Sequence, residues 1–219
     1  MTARASATSS KQITDYVLCA DCEDLFNKNG ETWMMKQVWN GKCFPLRDRL
    51  DLALPLYGLD DSLAFSGVAA GIDTNKLGYF ALSVIWRGAV HQWKLQSKTT
   101  VLNLGTSEEP VRQFLHGDAP FPSDVVIIAT VCGDRYSWGV FYTPKRTGGI
   151  SGPPWFDMLV LGVHLTVFVG DSLPPLLRER CCVKSAHKLI FQSDCSREAM
   201  RAFAQLMGQR PVPLVRNII

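Results

Sequence analysis

The chain has 219 residues, 47% of them hydrophobic and 20% charged, with a formal net charge of +3. That balance suits a globular protein large enough to bury its own core, and the charge alone is too small to mark a nucleic-acid binder, which carries a denser basic stripe. Seven cysteines, an odd number, follow a polar start (Met1–Ser10) with no apolar leader. This favours reduced thiols in the cytoplasm over the disulfide framework of a secreted protein.

Residues 1–12 read as a disordered leader and residues 13–219 as a single α+β domain. The expected order is an N-terminal helical half with a central buried helix, then an antiparallel sheet with a C-terminal helix packed on it. Gln12–Leu18 alternates loosely, as a short strand running into Cys19-Ala20-Asp21-Cys22. After Cys22, the residues Leu25, Phe26, Trp33, Met34 and Val38 recur at helical spacing, and Gly41 supplies a stop. Gly30, in the middle, is expected to weaken or kink this helix by about 1 kcal/mol relative to Ala. Phe44–Gly71 is punctuated by Pro45, Pro55, Gly58, Gly67 and Gly71, which predicts loops and short extended pieces.

Asp73-Thr74 then caps the strongest helix, expected over Asn75–Lys94. Leu77, Phe80, Ala81, Val84, Ile85, Ala89 and Val90 line one face, and Leu82, Trp86 and Trp93 widen it, so it should pack on more than one side. Thr106-Ser107-Glu108-Glu109 has the spacing of a capping box, with Pro110 in the first turn and Gly117 as the stop. From Asp118 the period shortens. Asp124–Cys132, Tyr136–Thr143, Trp155–Leu161, Val163–Val169 and Lys188–Gln192 read as strands, with Gly133-Asp134 as a hairpin turn and Lys145–Pro154 as a flexible loop. Phe156–Val169 is apolar but too short and too polar for a membrane span, and is read as two buried strands. A last helix is expected over Ser196–Met207.

Cys19 and Cys22 carry the sharpest local chemistry. Two thiolates at this spacing can grip one zinc ion, and they supply two of the four ligands of a tetrahedral site, with Cys43 the nearest further candidate. Thioredoxin-type redox chemistry uses the same spacing but wants a preceding strand within a βαβ unit; the third reading is two ordinary cysteines of the fold. Cys132, Cys181, Cys182 and Cys195 read as small buried hydrophobes. His91, His116, His164 and His187 fall in no catalytic motif. The basic run Arg178, Arg180, Lys184 and Lys188 is read as a solvated connector rather than a phosphate site. Trp33, Trp39, Trp86 and Trp93 are read as core or interface, not as a base-stacking platform.

Tyr16-Val17-Leu18-Cys19-Ala20-Asp21-Cys22-Glu23, followed by Phe26 and Trp33, resembles a segment of a widespread group of bacterial proteins of uncharacterised function. The resemblance continues through Leu77–Arg87, Glu108–Leu115 and the strands around Trp155–Val169. Longer members resemble HNH-type zinc proteins at their N-terminus. They carry an earlier Cys-x-x-Cys and a Ser-His-Ile-Ile-Pro-like segment, both of which are missing from the 219 residues here. The resemblance therefore implies a zinc-knuckle remnant at Cys19 and Cys22. The expected function is a non-catalytic binding or accessory module that meets a protein partner or another copy of itself, with no membrane role and only a weak case for nucleic acid. The alternative is a truncated or mis-started HNH-type endonuclease.

Overall fold

A computed structural model describes residues 18–59, 61–91, 93–95, 98–148 and 153–196. The predicted leader and first strand, and the predicted C-terminal helix beyond Ser196, lie outside the described residues.

The first helical stretch runs as α1 (Ala20–Phe26), a π-turn (Asn27–Glu31) and α2 (Thr32–Gln37). The π-turn contains Gly30, the glycine expected to disturb the helix. A Cβ on Gly30 would sit 2.8 Å from the backbone nitrogen of Phe80. The missing side chain therefore lets this helix touch the central helix, α4 (Thr74–Val90), backbone against backbone. Asp73 caps α4 as predicted, accepting a hydrogen bond from the Lys76 N–H at 3.0 Å. Leu77, Tyr79, Phe80, Ala81, Leu82, Ile85 and Ala89 are all buried, so α4 is packed on several sides, while Val90 is exposed.

Three predicted boundaries are corrected. α4 stops at Val90 instead of Lys94, because the chain turns back there. Leu102 donates its N–H to Gly88 O at 2.8 Å, and the short strands β3 (Trp93–Leu95) and β4 (Lys98–Thr100) fill the excursion. Phe44–Gly71 holds a helix, α3 (Pro45–Leu52), before the strands β1 (Tyr57–Leu59) and β2 (Ser62–Ser66). Pro45 sits in the first turn of α3, where its missing N–H costs nothing, so it starts a helix rather than breaking one. The Thr106 capping box does not form. A 3₁₀ turn (Gly105–Ser107) leads into α5 (Glu108–His116), and the Glu109 carboxylate pairs with Arg112 instead. Gly117 ends α5 in the left-handed region, as expected.

Seven strands form the main sheet: β1, β2, β5 (Val125–Cys132), β6 (Phe141–Arg146), β7 (Trp155–Val160), β8 (Val163–Val169) and β9 (Leu189–Ser193), in the order β1-β2-β9-β5-β8-β7-β6. The chain is α+β, with most helices ahead of most strands. One pair departs from the antiparallel expectation: β9 returns after the short helix α6 (Pro175–Glu179) and lies parallel to β5. No hairpin forms at Gly133-Asp134, because β8 and β9 occupy both edges of β5. Lys145 and Arg146, expected in a loop, belong to β6 and stand opposite Asp157 and Phe156; residues 149–152 of that predicted loop lie outside the described residues.

Phe156–Val169 is a strand pair turning at Leu161-Gly162, as read from the sequence. Both turn residues have positive φ, which the right-handed twist of a two-residue hairpin requires. Alternation along β8 sends Val163, Leu165, Val167 and Val169 into the helix-facing core, and His164, Thr166 and Phe168 to the other face. Among the described residues, no helix is long and apolar enough to cross a membrane.

The Gly30 crossing yields a test with an inverted sign. In an open helix, Gly→Ala stabilises by about 1 kcal/mol. Here Gly30→Ala should destabilise by about 1–3 kcal/mol, because the new methyl must push apart two packed backbones. Chemical denaturation of the two proteins, compared at matched slope, checks this.

Candidate binding site

Cys19 is the N-cap of α1 and is exposed, while Cys22, one turn on, is half-buried. The backbone N–H and thiol of Cys22 hold the Cys19 thiol below its ordinary value, and the Cys19 sulfur together with burial pushes Cys22 up. Cys43 does not join it. Its sulfur accepts a hydrogen bond from Asn40 Nδ2 at 3.2 Å, inside a tight turn where Asn40 Oδ1 also takes the N–H groups of Lys42 and Cys43.

All seven cysteines and four histidines of the chain fall among the described residues. Among those residues, no three of His, Cys, Asp or Glu converge as a metal-holding group. The donor chemistry at Cys19 and Cys22 suits zinc, but it fills two positions of four, and among the described residues no third ligand joins them.

The other cysteines are buried, as expected from sequence. Burial pushes the Cys132 thiol far up, with Cys195 beside it adding to the effect, and burial does the same for Cys182. Arg178, in the basic run, spends its guanidinium on the backbone carbonyls of Leu173, Ser123 and Asp171, clasping the connector to the sheet end.

The sheet face away from α4 carries a buried polar pair. His164 Nε2 stands 3.4 Å from Asp157 Oδ1, an ion-pair distance without hydrogen-bond alignment, and Thr166 donates its hydroxyl to the same oxygen at 2.8 Å. Burial would raise the Asp157 carboxyl. The His164 imidazole and the hydroxyls of Thr147 and Thr166 outweigh it and hold the carboxyl below its usual range.

A cleft of about 400 Å³ opens between α3 and the turn after β5. Its floor is built from segments far apart in the chain. Beyond α2, Trp39 leaves the helical path and donates its N–H to Leu161 O at 3.0 Å. Phe44 lies on Gly162, where a Cβ would come within 2.7 Å of its ring. Trp138 donates its indole N–H to Cys132 O at 2.9 Å. The three rings meet: Trp39 and Trp138 centroids are 5.0 Å apart, and Phe44 and Trp138 are 5.6 Å apart.

Asp134 fixes the turn that carries Trp138. It caps the 3₁₀ turn (Arg135–Ser137) through Ser137 and also accepts the Cys195 N–H at 2.8 Å, tying the turn to the end of β9. Two guanidiniums then lie over the Trp138 ring, Arg47 at 4.7 Å and Arg135 at 5.7 Å from its centroid. Sequence reasoning missed this cleft. It assigned Trp39 to a helix and gave Trp138, Phe44, Arg47 and Arg135 no role, and no spacing in the sequence links residues 39–47 with 135–138. The polar and aromatic character of the Gly133–Gly139 turn was the one available signal.

No family model, curated protein or solved structure matches the chain.

Two measurements follow. In the native protein, a thiol reagent should modify Cys19 and Cys43 readily and Cys22 more slowly, and should reach the four buried cysteines only after denaturation; peptide mapping of the labelled sites reads this directly. For Asp157, a depressed carboxyl gives stability that is fully present above the ordinary carboxylate pKa of about 3.9 and is lost as pH falls through the lower folded value. The advantage of the wild type over Asp157→Asn in urea unfolding should therefore be full at neutral pH and shrink below about pH 4.

Proposed function

We propose that this chain is a non-catalytic binding or accessory module, and that it docks through the free edge of its sheet onto a second copy of itself. The observation that supports this is the segment from the end of α3 into β1. Leu52 is 89% exposed and Leu54 90%, and Leu56, Tyr57 and Leu63 beside them are also exposed. Single exposed apolar residues are commonplace, but a run of them on one edge marks a contact surface.

The strand itself favours a like partner. Among the described residues β1 is the last strand on its side of the sheet, and one row of its backbone N–H and C=O groups faces no neighbouring strand. Between Asp51 and Asp60 the chain carries no charge. An identical strand can pair with it about a two-fold axis, satisfying both backbones and covering the same leucines on each side. Burying these side chains contributes at most on the order of 10 kcal/mol per copy, close to the roughly 4–15 kcal/mol that association costs. The pairing is therefore reversible and concentration-dependent. In this reading the bacterial resemblance and the half zinc-knuckle at Cys19 and Cys22 belong to an accessory protein, and any zinc bound there is completed by ligands from another chain.

Sedimentation velocity over a concentration series tests the reading. The wild type should shift from monomer to dimer, and Leu54→Asp with Leu56→Asp should stay monomeric with an unchanged melting curve, since both positions are exposed. A wild type that stays monomeric at every accessible concentration would sink self-docking.

A further inference from the structure

The aromatic cleft is separate from the sheet edge, and its walls combine two chemistries. The floor is three rings: Trp39, Phe44 and Trp138. The rim is cationic: Lys42, Arg47 and Arg135. Two carboxylates, Asp48 and Asp51, also line it; set against the three cations they leave the lining one net positive charge. Asp51 Oδ2 lies 3.4 Å from Arg47 Nε, while its Oδ1 accepts from Gln192 Nε2 at 3.2 Å. Arg47 Nε is shielded from solvent and makes no hydrogen bond. Lys42 and Arg135 have no ion-pair partner among the described residues.

We propose that this cleft binds a nucleoside phosphate, with the base against Trp39, the half-buried ring of the floor, and the phosphate on Arg135 and Lys42. Inorganic phosphate would use the rim and leave the rings idle. A purely apolar ligand would cover the rings and leave two unpaired cations against it. A planar ring joined to an anion uses both. A guanidinium stacked on an indole keeps its N–H edge free for phosphate oxygens and offers its own face to a base. Trp39 and Trp138 are held by a backbone and an indole hydrogen bond and Phe44 by its packing on Gly162, so little ordering is left to be done on binding. A volume of about 400 Å³ accommodates a mononucleotide. The same chemistry is presented by a free nucleotide and by one unit of a single strand. Cys43 lines the mouth of the cleft and is exposed, so a ligand seated there covers its thiol.

The test is calorimetric titration of the full chain with AMP, adenosine, inorganic phosphate and a short single-stranded oligonucleotide. AMP should bind saturably at one site, with adenosine and phosphate each weaker by about tenfold or more. Arg135→Ala and Trp39→Ala should each weaken AMP by about tenfold, while Arg112→Ala, on α5, should leave it unchanged. Arg135 is exposed, so its loss should not unfold the chain; the Arg135 variant therefore decides the matter if Trp39→Ala destabilises it. AMP should also slow alkylation of Cys43 and leave Cys19 unaffected. Tighter, salt-dependent binding of the oligonucleotide would assign the site to a strand, and equal or weaker binding would assign it to the free nucleotide. No saturable binding of AMP or oligonucleotide overturns the proposal. So does binding indifferent to Arg135→Ala, or phosphate binding as tightly as AMP.

Discussion

Gly30 has no side chain, and α4 occupies the space where one would be. Because the two backbones touch there, the helix that starts at Cys19 cannot keep a regular α path past Phe26, and it widens into a π-turn before recovering at Thr32. The crossing is then locked from both sides. Phe26 meets Tyr79 and Trp86 edge-on at about 6 Å, and Arg87 pairs with Glu31 while lying over the Phe26 ring. This crossing fixes the middle of the helical stretch against α4. Its first turn carries Cys19 and Cys22, and its far end delivers Trp39 to the β7–β8 turn. A bulkier residue at position 30 would move both ends.

α3 separates the two proposed surfaces. Its Arg47 stacks over Trp138 on the cleft side, and its last residue, Leu52, opens the exposed leucine run on the other. The helix is short, so its own propensity does little to hold it. Burial of Leu46 and Leu50, the hydrogen bond from Arg49 Nη1 to Gly71 O at 2.6 Å, and the bridge between Asp51 and Gln192 anchor it to the sheet. Edge and cleft are thus independent surfaces on a common support, and a ligand in one need not block the other.

The face of the sheet away from α4 shows how a polar group is tolerated at depth. Asp157 is almost fully buried between β6 and β8 and is stabilised as a carboxylate by Thr166, Thr147 and the nearby His164. Removing one partner would leave a charge with too few compensating dipoles, which is why such clusters are costly to break.

Sequence alone determined the α+β class, the buried central helix with its Asp73 cap, the strands β5, β7, β8 and β9 nearly to their ends, and the pairing of Cys19 with Cys22 in one helical turn. These are local properties: periodicity of apolar residues, a capping side chain, a two-residue spacing. The tertiary structure decided the rest. It set the parallel placement of β9 beside β5, turned Gly30 from a weak helix residue into a crossing point, and started a helix at a proline read as a breaker. It also gathered Trp39, Phe44, Arg47, Arg135 and Trp138 around one cleft from segments about ninety residues apart. Nothing in the local chain encodes that meeting. It arises because the Leu161-Gly162 turn offers a free carbonyl to Trp39 and a side-chain-free surface to Phe44, and both exist only once β7 and β8 have paired.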